Sequence, residues 1–190
     1  SNYNDNDSEN FQKVTWFLDN VNKVNFKNSN IDILDIGSGG GVLIHKMLEF
    51  LPSSNFYGIE PNELFADLSR RKSGAKNIKI GYYNNNSYSQ KFDLIVSSDV
   101  LEHVDSQKEF IENIYYDLNS QGILFLIVPS SKNFDSYGPE HDVFNSAHHI
   151  LYSPETLKED LVNQGFENIF IKNVKKLNGV WELRAIAYKK

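Results

Sequence analysis

Cysteine is absent from all 190 residues, so disulfide bridges, thiolate metal ligands and cysteine nucleophiles are excluded. No apolar run approaches the ~18 residues that a membrane-spanning helix needs. The polar, acidic beginning (Asn2, Asn4, Asp5, Asp7, Glu9) is unlike a secretory leader. Together these absences give the expectation of a cytoplasmic protein. A basic excess is missing as well: 19 Lys and Arg stand against 25 Asp and Glu, for a net charge of −6. A general binder of nucleic acid or anionic membrane needs a basic face, so neither partner is expected. What is present is an ordinary globular composition, 40% hydrophobic and 23% charged, in a chain long enough for one domain with a real core.

Hydrophobic periodicity divides the chain into alternating elements. Residues 1–8 read as loose, and Phe11, Val14, Phe17, Leu18 and Val21 then fall on one helical stripe. Residues 1–30 are thus a tail and helix, followed by a domain over 31–190. Short β-rich runs occur at 31–36, 56–59, 78–83, 92–96 and 123–128, the last apolar throughout as expected of a strand buried on both faces. Helical patterns lie between them. Val42 to Leu51 is closed by Pro52, Pro61 to Arg71 by Gly74, and the helix after Ser106 opens on a Ser-x-x-Glu capping box. Ser153-Pro154 opens a further helix that Gly165 ends. Strands at 169–176 and 180–188 flank Asn178-Gly179, a hairpin signal that places positive φ at both turn residues. Strands alternating with helices imply a doubly wound parallel sheet, and the hairpin adds one antiparallel strand.

The densest chemistry lies between the first strand and its helix. Asp35-Ile-Gly-Ser-Gly-Gly-Gly41 lets the backbone turn sharply and approach a ligand, and Glu60 ends the next strand, where its carboxylate faces the same crevice. A carboxylate there can accept hydrogen bonds from two ribose hydroxyls. The dinucleotide fingerprint G-x-G-x-x-G requires a glycine at position 42, which is Val42, and no Gly-Lys-Ser/Thr of a phosphate loop occurs. The pattern D-x-G-x-G-x-G fits, through Asp35, Gly37, Gly39 and Gly41.

On these residues the sequence resembles the class I S-adenosylmethionine-dependent methyltransferases. The segment Phe92 to Val104 (FDLIVSSDVLEHV) looks like the fourth-strand motif of their small-molecule branch, the ubiquinone and polysaccharide-biosynthesis type, and Tyr152 to Leu157 looks like its late helix start. The resemblance implies a Rossmann-like seven-stranded sheet, six strands parallel and the last antiparallel. It also implies S-adenosylmethionine as cofactor, with S-adenosylhomocysteine as product. Asp35, Gly37, Ser38, Gly39 and Gly41 would organise the methionine end, and Glu60 with Pro61 the ribose. Ser98 and Asp99 would flank the site from the fourth strand. The family often has an acid after the third strand that reads adenine. Here Tyr82, Tyr83 and Asn84 stand there, so the base is expected on a tyrosine face or against Asn84.

Displacement at a sulfonium needs alignment of the acceptor, and a hydroxyl acceptor benefits from a general base. Asp99, Glu102 and His103 follow the fourth strand; His141, His148 and His149 follow the fifth. A metal reading of Asp99-x-x-Glu102-His103 resembles the E-x-x-E-H string of small-RNA 3′-end methyltransferases. Asp99 replaces that motif's first Glu, and no metal is expected. His148, just before the Ser-Pro-Glu-Thr-Leu helix start, is the expected base, with His149 beside it. The function implied is methylation of a small-molecule or sugar hydroxyl. The rivals are an RNA or protein methyltransferase on the same fold, or a non-catalytic cofactor-binding module of a larger enzyme.

Overall fold

A computed structural model describes residues 2–21, 30–75, 77–84, 86–136 and 149–190. Helix α1 (Asn2–Asn20) precedes β1 (Asp32–Ile36), α2 (Val42–Phe50), β2 (Asn55–Glu60), α3 (Glu63–Ser73), β3 (Asn77–Ile80) and β4 (Phe92–Ser98). Then come α4 (Gln107–Asp117), β5 (Leu118–Pro129), α5 (Pro154–Gln164), β6 (Phe166–Lys175) and β7 (Trp181–Lys189). The seven strands form one sheet in the order β3-β2-β1-β4-β5-β7-β6. Strands β1 to β5 pair in parallel, and β7 runs antiparallel to both of its neighbours. Six strands therefore share one direction and β7 opposes them, as the sequence implies.

Each face of the sheet is covered. On one side Val14 and Phe17 of α1, Ile44 and Met47 of α2 and Ala66 of α3 pack against Ile33, Phe125 and Ile186. On the other, Phe110, Ile111 and Ile114 of α4 and Leu157 and Leu161 of α5 pack against Leu34, Ile95 and Leu126. Burying each such side chain contributes about 1.5–3 kcal/mol, so the two apolar layers fix the strand register.

Element ends differ from the sequence reading in several places, β5 and β6 among them, which begin at Leu118 and Phe166. Helix α1 already begins at Asn2, because the buried stripe from Val14 to Val21 supports helix well ahead of itself. Pro61 lies outside α3, whose cap is Asn62, accepting from the Phe65 N–H at 3.2 Å. Strand β3 stops at Ile80 because Gly81 takes φ 145°, leaving Tyr82 to Asn84 in a loop. In the hairpin, Gly179 alone has positive φ. The loop is three residues long, with the Lys176 N–H donating to the Val180 carbonyl at 2.7 Å and Gly179 closing it as a bulge.

Parallel pairing brings the C-terminal ends of β1, β2, β3, β4 and β5 to one edge of the sheet. A crevice opens there, and the antiparallel β7 starts beside it with Trp181 and Glu182.

Candidate functional site

After Ile36 the chain leaves β1 through Gly37 (φ 72°) and Gly41 (φ 74°), both left-handed. A Cβ at Gly37 would collide with the Val100 side chain, and one at Gly41 would sit 2.6 Å from the Ser69 Cα, so both ends of this turn are closed to side chains. It is also tied to the neighbouring strand: the N–H groups of Gly37 and Ser38 donate to the Ile59 carbonyl at 2.8 and 3.2 Å. Glu60 completes the anchoring. Its Oε2 accepts from the Gly39 N–H and its Oε1 from the Asn62 N–H, both at 2.9 Å. The carboxylate is buried, and each oxygen keeps lone-pair capacity beyond its one backbone bond.

Asp35 lies behind this turn with no exposure to speak of, and its Oδ2 has no hydrogen-bond partner. Burial, reinforced by the Glu60 charge, pushes its carboxyl up to about 8, against a weaker opposing pull from Lys13. An orphaned buried acid of this kind calls for a donor or a cation.

The crevice is a cavity of about 650 Å³. Gly37, Glu60 and Pro61 form one wall, with Ile36 and Ile59 at its base. Tyr82, Tyr83 and Asn84 form a second wall. Tyr82 is almost fully exposed, whereas Tyr83 is held: its hydroxyl donates to Asp117 Oδ2 at 2.8 Å and its ring stands edge-on to Phe110, centroids 5.7 Å apart. The Asn84 Oδ1 accepts from the Asn86 N–H at 2.9 Å. The third wall runs from Asp99 and Val100 through His103 and Val104 into Ser106, Glu109 and Asn113 at the start of α4. Ser106 caps α4 through the Glu109 N–H at 3.2 Å, while Glu109 lines the cavity.

At the end of β4, Asp99 adopts φ 57°, a left-handed conformation uncommon for a side-chain-bearing residue and typical of functional turns. Lys13 of α1 reaches this turn, and its Nζ donates to Ser98 Oγ at 2.9 Å and to Asp99 Oδ2 at 3.1 Å. Burial works against the Asp99 charge, but Lys13 and Lys176 more than offset it and hold its carboxyl below the usual range. Glu102 follows on a 3-10 turn, Leu101–His103, and is itself buried. Neither of its carboxylate oxygens has a hydrogen-bond partner. Burial first, and the Asp99 charge second, push it up to about 8.

The expected site residues fall into three groups. Gly37, Glu60, Pro61, Tyr82, Tyr83, Asn84 and Asp99 line the cavity. Asp35, Ser38, Gly39, Gly41 and Ser98 shape or back its walls. His141 and His148 lie outside the described residues. His149 is exposed, with Nδ1 3.2 Å from the Val104 carbonyl and its N–H donating to the Glu102 carbonyl at 2.8 Å. The imidazole on the described cavity wall is that of His103. Among the described residues no three His, Asp or Glu side chains group to hold a metal ion.

Lys13 is the member the sequence reading missed. It precedes Phe17 and Val21 by four and eight residues and so lies on the apolar stripe of α1. A lysine there needs a buried acid, and that is the signal that could have found it.

An unpartnered buried carboxyl, a glycine-rich turn and an anchored carboxylate at adjacent strand ends fit a ligand that carries a cation and a ribose diol. Comparison with known proteins agrees. A family model described as "Methyltransferase domain" matches residues 9–170. The ubiquinone biosynthesis O-methyltransferase of Bartonella tribocorum is 29% identical over 102 residues, 51% of this chain and 40% of that protein. The enzyme of the same name from Pelagibacter ubique is 30% identical over 112 residues, 57% of this chain and 45% of that protein. The chain thus spans less than half the length of the curated relatives it matches. In three dimensions it resembles phosphoethanolamine N-methyltransferase 2 of Haemonchus contortus, solved with S-adenosylhomocysteine. The TM-score is 0.70 at 14% identity, over 94% of this chain and 52% of that one, a likeness of fold.

Proposed function

The chain belongs to the methyltransferase-domain family, and from that premise we propose that it transfers a methyl group from S-adenosylmethionine to a hydroxyl oxygen of a small molecule or sugar precursor. The observation that carries the reading is the buried Asp35 carboxyl with its unpartnered Oδ2, set beside a glycine turn anchored by Glu60. The curated relatives named for O-methylation of a small molecule support the acceptor class.

In this reading Asp35 and the turn from Gly37 to Gly41, with Ser38 and Gly39, hold the methionine end. Glu60 and Pro61 take the ribose. Tyr83, fixed by Asp117, offers its ring to the adenine, with Tyr82 and Asn84 at the rim. Ser98 and Asp99 close the site from β4. The bound cofactor supplies a methyl carbon on a cationic sulfur, a leaving group that needs no further activation. The protein's part is to align the acceptor and to take its proton. His148 and His149, in the segment leading to α5, are candidates for that proton.

Calorimetry tests the cofactor: S-adenosylmethionine and S-adenosylhomocysteine should bind and NAD should not. NAD binding without S-adenosylmethionine binding would sink the reading. Methyl-labelled cofactor offered with catechols, dihydroxybenzoates and methyl glycosides then tests the acceptor class.

A further inference from the structure

We propose that the outward face of α3 pairs two copies of this chain about a two-fold axis, the two helices running antiparallel. The inference goes beyond the methyl-transfer reading and does not depend on it. Helix α3 turns Ala66 and Ser69 inward, both fully buried, and Ala66 shares an apolar layer with Ile78 of β3. At about 3.6 residues per turn, Leu64, Leu68 and Arg71 fall on the opposite side of the helix. Leu64 is 74% exposed and Leu68 42%, with Phe65, 50% exposed, beside them. Ile80 adds to this surface from the end of β3. It pairs in register with Glu60, three residues ahead of α3, and shares the sheet face of buried Ile78, yet it is 49% exposed. A lone exposed leucine is ordinary, but apolar side chains gathered on one helix and the adjoining strand end mark an interaction surface.

The face is held ready for a partner. The Asn62 side chain caps the first turn of α3, and Gly74, at φ 69°, closes the last. Arg70 ties that last turn to the sheet, donating through Nε and Nη2 to the Ile78 carbonyl at 3.2 and 2.6 Å. A surface already fixed loses little further freedom on association.

Charge decides the occupant. Along α3 the acids come first, Glu63 and Asp67, and the bases last, Arg70, Arg71 and Lys72. Asp67 is bridged by Arg70 at 2.5 Å. Glu63 and Arg71 are both exposed, and neither has an ion-pair partner among the described residues. An anionic lipid surface calls for bases alone around the apolar patch, and it repels a chain of net charge −6. A helix that is acidic at one end and basic at the other is complemented by the same helix reversed. That match is isologous, so every contact is made twice, and the two helix dipoles oppose as well. A two-fold axis beside Leu68 sets Leu68 against its counterpart and Leu64 against the aliphatic stem of Arg71 in the second copy. Glu63 then meets the guanidinium of that same Arg71.

Sedimentation equilibrium of the chain over about 1 to 200 µM, without cofactor or acceptor, tests the proposal. The mass should rise with concentration from 21.8 kDa towards twice that value. Leu64→Asp should weaken dimerisation at least about tenfold while its melting temperature, read on the dilute protein, stays near that of wild type. Leu64→Gln gives the same readout if the aspartate variant fails to fold. Glu63→Arg and Arg71→Glu, each alone, should weaken it about tenfold, since each brings like charges together twice. Mixed in equal amounts, these two variants should pair with one another about as tightly as wild type, because each supplies the charge the other lacks. A mass of 21.8 kDa at every concentration overturns the proposal. So does a dimer indifferent to Leu64→Asp, or a mixture that pairs no more tightly than its separate variants. A monomer that sediments with vesicles of phosphatidylcholine and phosphatidylglycerol, and ceases to do so as Leu64→Asp, overturns it in favour of a membrane surface. Failure to bind S-adenosylmethionine would count against the methyl-transfer reading alone.

Discussion

Two carboxyl pairs border the same crevice, with Glu60 and Asp99 in its lining and Asp35 and Glu102 buried beside them, and they are built differently. At the ends of β1 and β2, Glu60 is satisfied and Asp35 is orphaned; at the end of β4, Asp99 is satisfied and Glu102 is orphaned. The first pair is served locally, since Glu60 is held by N–H groups only 21 residues upstream and 2 downstream. The second depends on Lys13, which comes to Asp99 from 86 residues away. A pair closed by its own backbone turn is rigid wherever that turn folds. A pair closed by a distant lysine exists only while α1 is docked.

Substitution at Glu60 should have the largest effect. Glu60→Ala removes an acceptor of two backbone bonds and of the ribose, and hydrogen bonds to a charged group are worth roughly 1.5–3 kcal/mol each. S-adenosylhomocysteine should bind at least about tenfold more weakly by calorimetry. Stability should drop by roughly 2–3 kcal/mol in urea unfolding, because the glycine turn loses its anchor. An unchanged dissociation constant in the folded variant would refute the ribose role and erase the distinction between the two pairs.

Lys13→Met probes the distant pair. Asp99 is 41% exposed at its side chain, so water can partly replace the ammonium, and the expected loss is about 1–2 kcal/mol rather than that of a sealed ion pair. Cofactor-product affinity should change less than in Glu60→Ala. If it changes more, α1 is part of the cofactor wall and the comparison must be redrawn.

Protons offer a gentler probe of both pairs at once. Asp35 and Glu102 have folded values raised to about 8, from ordinary values of 3.8 and 4.5. The folded state therefore holds more protons than the unfolded one between roughly pH 4 and pH 8, and stability falls as pH rises through that window. Melting temperature should drop by several degrees from pH 6 to pH 9 at this chain length. S-adenosylmethionine, a cation, should reduce the drop by favouring ionised Asp35. A flat profile would mean that neither orphan is truly unpartnered.

Tyr83→Phe should have the smallest effect. It leaves the buried Asp117 without the Tyr83 donor, at a cost of roughly 1 kcal/mol, and frees a ring now fixed against Phe110. A modest rise in the dissociation constant for S-adenosylhomocysteine, of about threefold, would place the adenine on this face.

The same contrast explains what was legible beforehand. The turn from Asp35 to Gly41 and the acid at Glu60 could be read because their partners lie within one strand-turn-helix-strand unit and their spacing is written in the chain. Alternation of strands and helices likewise carried the sheet and the opposed direction of β7. The Lys13–Asp99 contact was hidden because it depends on how α1 lies across the strand ends, and a helix stripe states which face is buried, not what that face meets. The orphaned state of Glu102 was hidden for a related reason: sequence names an acid but not the direction in which each neighbouring cation is already turned. The hairpin misreading was narrower. Asn-Gly signals a tight turn, yet Leu177 joined the loop and left Gly179 as the only left-handed residue.

Strand β7 has a bearing on how the chain reaches this state. It inserts between β5 and β6, and its Arg184, buried and paired with Glu182 at 2.6 Å, donates through Nη1 to the Gln12 carbonyl on α1 at 2.9 Å. Residues 172 positions apart thus close on each other at the position next to Lys13. A ribosome releases residue 184 long after residue 12, so α1 must wait, an amphipathic helix without its seat, while the apolar edge of β5 stands open. Such distant closure is slow and leaves an interval exposed to aggregation. Among the strands, β7 is the one whose arrival converts a sticky nascent chain into one with a finished crevice.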